Sequence, residues 1–531
     1  MKYLKQHQIW CKLAVTISAL FCASTIAATP PSTLVVAKNI DDLATLDPAQ
    51  IYEFTGGEIS NNLYDQLVEY HAGATDTLVG GLASSWHADS AARTITFELD
   101  KSARFASGND VTADDIVYSF VRVMKLNKTP SAVVKQLGWN ADNIESQVVK
   151  VDDDTVKVHY KEGISPDFAL NTLTATVASI VDSKTVKKHE KDGDMGNAWL
   201  NKNSAGSGPF SLRIWKANDT VVLSANKKWW EGDLAIKQVI YRHIVEPTTQ
   251  RIMLEKGDID IARGLGPDQI QAIATHSELK IEDYPQSAVY FFSFNVKNNK
   301  LNNPEFWRAA KYLIDYKGMA NSFLKGQFKV HQAFWPQGMP GAVSDTPYSL
   351  DVAKAKQILT DAKIENLSLK MDYINSEPFS SMAQSIQATF AEAGIKIDLV
   401  PGTGNQVITK YRAREHEGML LYWGPDYADP HSNAGAFAYN ANNDDDHYVS
   451  TTTWRNGWQD LELNKKVEAA LQETDRDKRL QQYRDLQHDV MKTSPIVVMF
   501  QNQAQTALRS NINGYEQGSS AHQVYYSKVT K

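Results

Sequence analysis

The sequence predicts an α/β protein built from more than one domain, and three observations carry that expectation. The chain has 531 residues, too many for one compact core, so two or three domains are expected. Its composition is globular, 42% hydrophobic and 10% aromatic, which supports large cores and argues against disorder. Between Leu367 and Trp423, period-two alternation and helical periodicity take turns in the order strand, helix, strand, helix, strand. That order implies parallel neighbours joined by right-handed crossovers.

The N-terminus carries Lys2, Lys5 and Lys12, then an apolar stretch from Leu13 to about Ala27 closed by Thr25-Ile-Ala-Ala28. A basic start, a short apolar middle and a small-residue end describe a secretory signal peptide, too short to span a bilayer comfortably. Cleavage is expected after Ala27 or Ala28. The segment holds three lysines and no acid, so its loss takes the formal charge from −7 to about −10. Both cysteines, Cys11 and Cys22, fall inside it; Phe21 is too large for Cys22 to serve as a lipoprotein acceptor. The exported chain then has no disulfide and no thiol metal site. Its acidic balance, with no basic stripe, excludes a nucleic-acid partner.

In chain order, Thr33–Ala37 reads as a strand, Leu46-Asp-Pro48 as a turn, and Ile51–Phe54 as an exposed loop bearing two aromatics. A helix is expected over Glu58–Tyr64. A hairpin follows within 86–104, its second arm alternating in Thr94–Leu99. Thr112-Ala-Asp-Asp115 opens a helix as a capping box, with apolar Ile116, Val117, Phe120, Val121 and Met124 on one face. The middle is rich in strands: Val148–Val151, Val156–Tyr160, Phe210–Trp215, Val221–Ala225 and Gln238–His243. Thr248–Glu255 is a helix stopped by Gly257.

From Tyr290 the pattern changes. Tyr290–Asn295 is a strand and Pro304–Ile314 a helix. Leu367–Tyr373, Ile395–Val400 and Met419–Trp423 are the three strands of the α/β run, separated by helices over Phe379–Ala393 and Val407–Arg414. Gly394 suits the left-handed stop of the first of these helices. Leu461–Lys492 is largely helical, and Pro495–Phe500 is a buried strand that can return to an earlier sheet. No repeat and no low-complexity linker separates the parts, which suggests domains joined at a hinge.

The stretch 418–431 organises the chain. Met419–Trp423 is an unbroken apolar run, ended by Gly424-Pro425, which cannot continue a strand. Asp426 and Asp429 follow, interleaved with Tyr427. Acids beside aromatics just past the carboxyl end of a buried strand lie where α/β sheets bind ligands. The alternative is that both are turn-formers bonding nearby backbone N–H groups.

Enzyme chemistry leaves no trace in the motifs. The chain has no Gly-Lys dipeptide and so no Walker lysine loop, no Gly-x-Ser-x-Gly elbow and no His-Glu-x-x-His. Asn442-Asn-Asp-Asp-Asp-His447 matches no calcium loop and reads as a solvated acidic loop. The 13 histidines lack ligand spacing. Twelve Trp and 22 Tyr supply flat contact surface, suited to binding and equally to cores. No catalytic residue, metal ligand or cofactor is expected.

With these pieces placed, the chain from about residue 30 to 520 resembles the family 5 extracellular solute-binding proteins of bacterial ABC importers. The resemblance rests on Leu82-Ala-Ser-Ser-Trp86 with Thr94–Leu99, Phe105-Ala-Ser-Gly108, and Val111 through Phe120. It rests also on Gly206-Ser-Gly-Pro-Phe210 with Trp229 and Trp230, and on Phe294-Asn295 with Trp307-Arg-Ala-Ala310 and Ile314-Asp315. Ser107-Gly108-Asn109 departs from the family's usual Asp-Gly.

The resemblance implies a two-lobed periplasmic binding protein, class II-like of cluster C, with an extra N-terminal subdomain and a ligand cleft between lobes. One lobe would hold residues 29–59, 176–288 and 495–531, the subdomain 60–175, and the other lobe 289–494, behind a signal peptide at 1–28. It implies a monomer that binds peptides and hands them to an inner-membrane ABC permease. The family's Trp-x-x-Asp motif reads here Trp423-Gly-Pro-Asp426, so the carboxylate for the ligand's α-ammonium falls on Asp426. Trp423, Tyr427, Tyr52 and Phe54 would shape the cleft, and the loop with Tyr52, Glu53 and Phe54 would meet the ligand backbone. Dipeptide-binding members place an arginine for the ligand carboxylate where this chain has Ser380 and Ser381, which leaves Arg412 and Arg414 as candidates. An opine, a nickel complex or a sugar is the alternative ligand, since a fold does not fix its ligand. An exported hydrolase is the rival from another class.

Overall fold

The computed structural model describes residues 29–70, 78–447, 449, 451–473, 475–520 and 522–531. The expected signal peptide and both cysteines lie outside the described residues. One mixed sheet of eleven strands runs through the molecule. In chain order its strands are β1 (Thr33–Lys38), β2 (Phe210–Lys216), β3 (Thr220–Ala225), β4 (Gln238–His243), β5 (Ile261–Ala262) and β6 (Leu279–Phe294). They continue as β7 (Phe328–Val330), β8 (Ser368–Ile374), β9 (Lys396–Gly402), β10 (Gly418–Trp423) and β11 (Ile496–Arg509). Their order across the sheet is β9-β8-β10-β6-β11-β5-β1-β4-β3-β2, with β7 pairing β11.

The α/β run folds as its periodicity predicts. β8 is parallel to both β9 and β10, so the connecting helices Phe379–Glu392 and Gly404–Arg412 are crossovers. Gly394 takes φ +82° just past the first of them, the left-handed stop that glycine adopts without strain. Thr112 and Asp115 form the expected capping box on helix Ala113–Leu126.

Three large cores fill the molecule. The first lies around β6 to β11, from Val289 to Phe500, and includes Met419, Leu420 and Trp423. The second belongs to a separate four-stranded antiparallel sheet (Ala83–Asp89, Thr94–Leu99, Thr155–His159, Val148–Lys150) and to the capped helix. The third lies on one face of β1 to β5 and takes in Leu508 to Val529. Along β1, Leu34 and Val36 enter that core while Val35 and Ala37 enter a smaller one on the opposite face, as alternating side chains must when both faces are covered.

Two strands serve both halves of the sheet. β6 and β11 pair antiparallel from Leu279–Arg509 to Ser293–Ile496, and their register breaks between Pro285 and Val289. There Ser287 turns to bond the carbonyl of Ser519 through both its N–H and its hydroxyl, each at 2.8 Å. Ile496 to Phe500 belong to the first core, whereas Ala507 and Leu508 belong to those of the other half.

The structure corrects three local expectations. The helix expected from Glu58 starts at Phe54, and the supposed exposed loop before it holds a buried Ile51 and half-buried Tyr52, Glu53 and Phe54. Gly56 and Gly57 pack inside the helix; an added Cβ would sit 2.9 Å from Ile51 Cγ2 and 2.8 Å from His522 Cβ respectively. The strand expected from Tyr290 extends back to Leu279, where polar Lys280, Glu282 and Asp283 hid it. The helical stretch 461–492 is two helices, Leu461–Gln472 and Arg476–Thr493, the second capped by Asp475.

Candidate functional site

β10 is held between β6 and β8, so its carboxyl end is fixed by the first core. Gly424-Pro425 then lifts the chain off the sheet. The turn is locked by short bonds: Asp426 N–H donates to Ser432 Oγ at 2.9 Å, and His431 N–H donates to Asp429 Oδ1 at 2.9 Å.

Asp426 stands where three small cavities meet. One is lined by Tyr52, Glu53, Phe54, Arg412, Trp423 and Arg455. Another brings Ser287, Tyr427, Ser520 and His522 to it, and the third Ile51, Pro130, Val133 and Thr176. The carboxylate thus stands between side chains of the first and second cores, Trp423 on one side and Val133 and Tyr427 on the other. Burial pushes its pKa up from the usual range to about 7, although the positive charge of Arg455 pulls the other way. Among the described residues no cation bonds it directly.

The segment 52–54 reaches across to β10 and the helix before it. Glu53 pairs with Arg412 at 2.9 Å. Tyr52 meets Trp423 edge-on at 6.0 Å between ring centroids, and Phe54 stacks on Tyr422 at 4.8 Å. Gly424 makes this approach possible, because a Cβ there would lie 2.7 Å from Phe54 Cζ. Beyond the Phe54–Tyr422 stack opens a larger cleft, about 490 Å³, lined by Arg263, Ser376, Ser381 and Gln505 among others.

Tyr52, Glu53, Phe54, Trp423 and Asp426 therefore share one cavity. Tyr427 lies differently: its ring packs in the second core, edge-on to Phe168 at 5.8 Å, and its hydroxyl donates to Gln136 Oε1 at 2.9 Å. It borders a cavity beside Asp426 but chiefly ties the turn to that core. Asp429 is wholly structural, accepting from Arg479 Nη2 at 2.7 Å and Nη1 at 2.8 Å. Of the two arginine candidates, Arg412 is taken by Glu53. Arg414 lies over Trp454 and bonds Asp445 at 2.9 Å, away from the cavity.

The sequence reading missed Arg455 and His522. Arg455 is 4% exposed and packs over Tyr411 and Trp423, at 5.2 and 5.6 Å to their centroids. Its only sequence signal is a lone charge in Trp454-Arg-Asn-Gly-Trp458. His522 shares a 2.9 Å bond with Ser520 through Nδ1, and burial holds its pKa down at about 4. Among the described residues no three His, Cys, Asp or Glu side chains group as a metal site, and no helix is long and apolar enough to cross a membrane.

Known proteins align along nearly the whole chain. The family model described as bacterial extracellular solute-binding proteins, family 5 middle, matches residues 77–445. A probable D,D-dipeptide-binding periplasmic protein of Escherichia coli is 30% identical, covering 94% of this chain and 94% of its own length. The two-lobed fold recurs in solved structures. A periplasmic binding protein of Helicobacter pylori in complex with the peptide STSA superposes with a TM-score of 0.82 at 21% identity, over 94% of this chain and 98% of that one. An Agrobacterium binding protein (A. tumefacien R10) in complex with mannopinic acid reaches 0.83 at 19% identity, over 94% and 99%.

Proposed function

The chain belongs to the bacterial extracellular solute-binding proteins of family 5, and on that premise we propose that it binds short peptides by their α-ammonium group at Asp426 and passes them to an inner-membrane ABC permease. The observation that carries this reading is the state of the Asp426 carboxylate. It is drawn toward neutrality by burial, has no cation bonded to it among the described residues, and borders cavities between the first and second cores. An arriving ammonium supplies the missing counter-charge through charge-assisted hydrogen bonds worth roughly 1.5–3 kcal/mol each. The D,D-dipeptide description of the 30% identical relative points to the same ligand class.

Tyr52, Phe54 and Trp423 form apolar walls, Glu53 fixes the wall segment through Arg412, and Tyr427 anchors the Asp426 turn. Residues 29–59 and 176–288 with the C-terminal end make one lobe, 289–494 the other, and 60–175 the added subdomain. The lobes close about β6 and β11, at the register break beside Ser287. Residues 1–28 direct export, and the mature protein acts in the periplasm as a monomer.

Native mass spectrometry of the purified mature protein, before and after mild unfolding, tests the ligand class. Co-purified masses of short peptides support it. A single non-peptide mass, such as an opine or a nickel complex, keeps the family and removes the ammonium role of Asp426.

A further inference from the structure

The cavity that holds Asp426 contains four charged side chains, and only two of them are matched. Glu53 and Arg412 bond each other at 2.9 Å. Asp426 and Arg455 face the same space without a direct ion pair. The Nε and Nη2 atoms of Arg455 are buried with no hydrogen-bond partner, although its side chain is 4% exposed. A buried guanidinium left in this way is costly unless something completes it. The aromatic faces of Tyr411 and Trp423 hold it in place, but they supply no acceptor in the plane of its fork, where carboxylates bind.

A ligand that offered only an ammonium would pair Asp426 and leave this second charge unmatched nearby. We propose that Arg455 binds the carboxylate of the same ligand whose ammonium Asp426 holds. Asp426 and Arg455 line the same small cavity, about 70 Å³, so a ligand held by both carries its two charged groups close together. The preferred substrate class is therefore a compact zwitterion, a dipeptide or a single amino-acid unit, rather than a long peptide with a distant carboxylate. Arg455 then does what Ser380 and Ser381 cannot; Ser381 faces the large cleft on the other side of Phe54 and Tyr422. This specificity role rests on the short-peptide reading above.

Calorimetric titration separates the two claims. The probes are alanyl-alanine in its L,L and D,D forms, each as free acid, as C-terminal amide and as N-acetyl derivative. The proteins are wild type, Arg455→Met, which keeps the bulk, and Arg455→Lys, which keeps the charge and loses the fork. The wild type should bind a free acid at least tenfold tighter than its amide. Arg455→Met should bind both alike, with the weak affinity of the amide, and Arg455→Lys should show an intermediate ratio. If Arg455→Met fails to fold by circular dichroism, the ratio in Arg455→Lys decides. An acid-to-amide ratio unchanged in the variants, or absent in the wild type, overturns the role of Arg455. In that case weak binding of the N-acetyl probes would leave the amine site at Asp426 standing. If no probe binds the wild type, the short-peptide reading itself falls and takes this proposal with it.

Discussion

The carboxylate of Asp429 is gripped from one side by the guanidinium of Arg479, through two N–H bonds of 2.7 and 2.8 Å. Asp426, three residues earlier in the same turn, has no such grip. On the function proposed above, the pair divides the labour of the turn between holding its shape and meeting a ligand. Replacing Asp429 with Asn should strand a mostly buried arginine and cost roughly 3–5 kcal/mol of stability, as breaking buried ion pairs does. Chemical denaturation would register this as a lower midpoint. An unchanged midpoint would mean that the ion pair contributes nothing.

Asp426→Asn should do the reverse. Affinity for a free-amine dipeptide should fall by about one to a few kcal/mol, because the ammonium loses its counter-charge. Thermal stability of the ligand-free protein at pH 8 should not drop, since the substitution removes a carboxylate whose charged form burial disfavours. Undiminished affinity in this variant would take Asp426 out of the site.

Binding should also depend on pH. Burial raises the Asp426 pKa to about 7, while an ammonium requires the ionised form. Dipeptide affinity should therefore rise with pH up to about 7 and level off above it, with a proton released on binding at pH 6. Calorimetry in buffers of different ionisation enthalpy reads that proton directly. Linkage gives the opposite sign for folding: the folded chain holds this proton more tightly than the unfolded one, so its stability falls as pH rises from about 4 to 7. Asp426→Asn should abolish both trends.

Glu58 predicts behaviour in acid. It is fully buried and bonds Arg263 at 2.6 Å, Lys38 at 2.7 Å and Tyr526 Oη at 3.1 Å. Burial alone would raise its pKa, but Arg263 and Lys38 outweigh burial and bring it to about 2. The stability this provides is complete above about pH 4.5 and disappears as pH falls toward 2. Denaturation midpoints across that window should slope steeply in the wild type and less steeply in Glu58→Gln. Parallel slopes would exclude Glu58 as the source.

Gly424→Val probes the contact between 52–54 and β10. With a Cβ only 2.7 Å from Phe54 Cζ, the ring must shift against Tyr422. Dipeptide affinity should fall about tenfold, roughly 1.4 kcal/mol, and small-angle scattering should show a more open molecule with ligand present. Wild-type affinity would show that the Phe54–Tyr422 stack is incidental to binding.

The parts of the structure legible from sequence are those where local pattern and tertiary packing agree. β9 and the start of β8 alternate because one face meets solvent there, β10 runs apolar because both its faces are covered, and Thr112-Ala-Asp-Asp115 caps its helix with its own atoms. Illegible parts depend on partners remote in sequence. Gly56 and Gly57 stand within a helix where Ile51 and His522 occupy the space a Cβ would take. Residues 279–285 form a strand because β11 pairs with them, though Lys280, Glu282 and Asp283 break the apolar pattern. At the site, Asp426 stood out through its motif and its place past a buried strand. Arg455 did not, because its meaning comes from Asp426, Tyr411 and Trp423 meeting it in space. Tyr427 was noticed for its position, but the residue that explains it, Gln136, lies 291 positions away.

β11 lies between β6 and β5, near the middle of the sheet, although it comes close to the end of the chain. While the polypeptide is being synthesised, β1 to β5 on one side and β8 to β10 on the other have no strand to join them until about residue 509 has emerged. The central sheet thus matures last, through pairings between distant parts of the sequence, which form slowly. A late-closing design of this kind leaves the two halves of the sheet unjoined, and the chain between them free to be drawn out, until nearly all of it has been made.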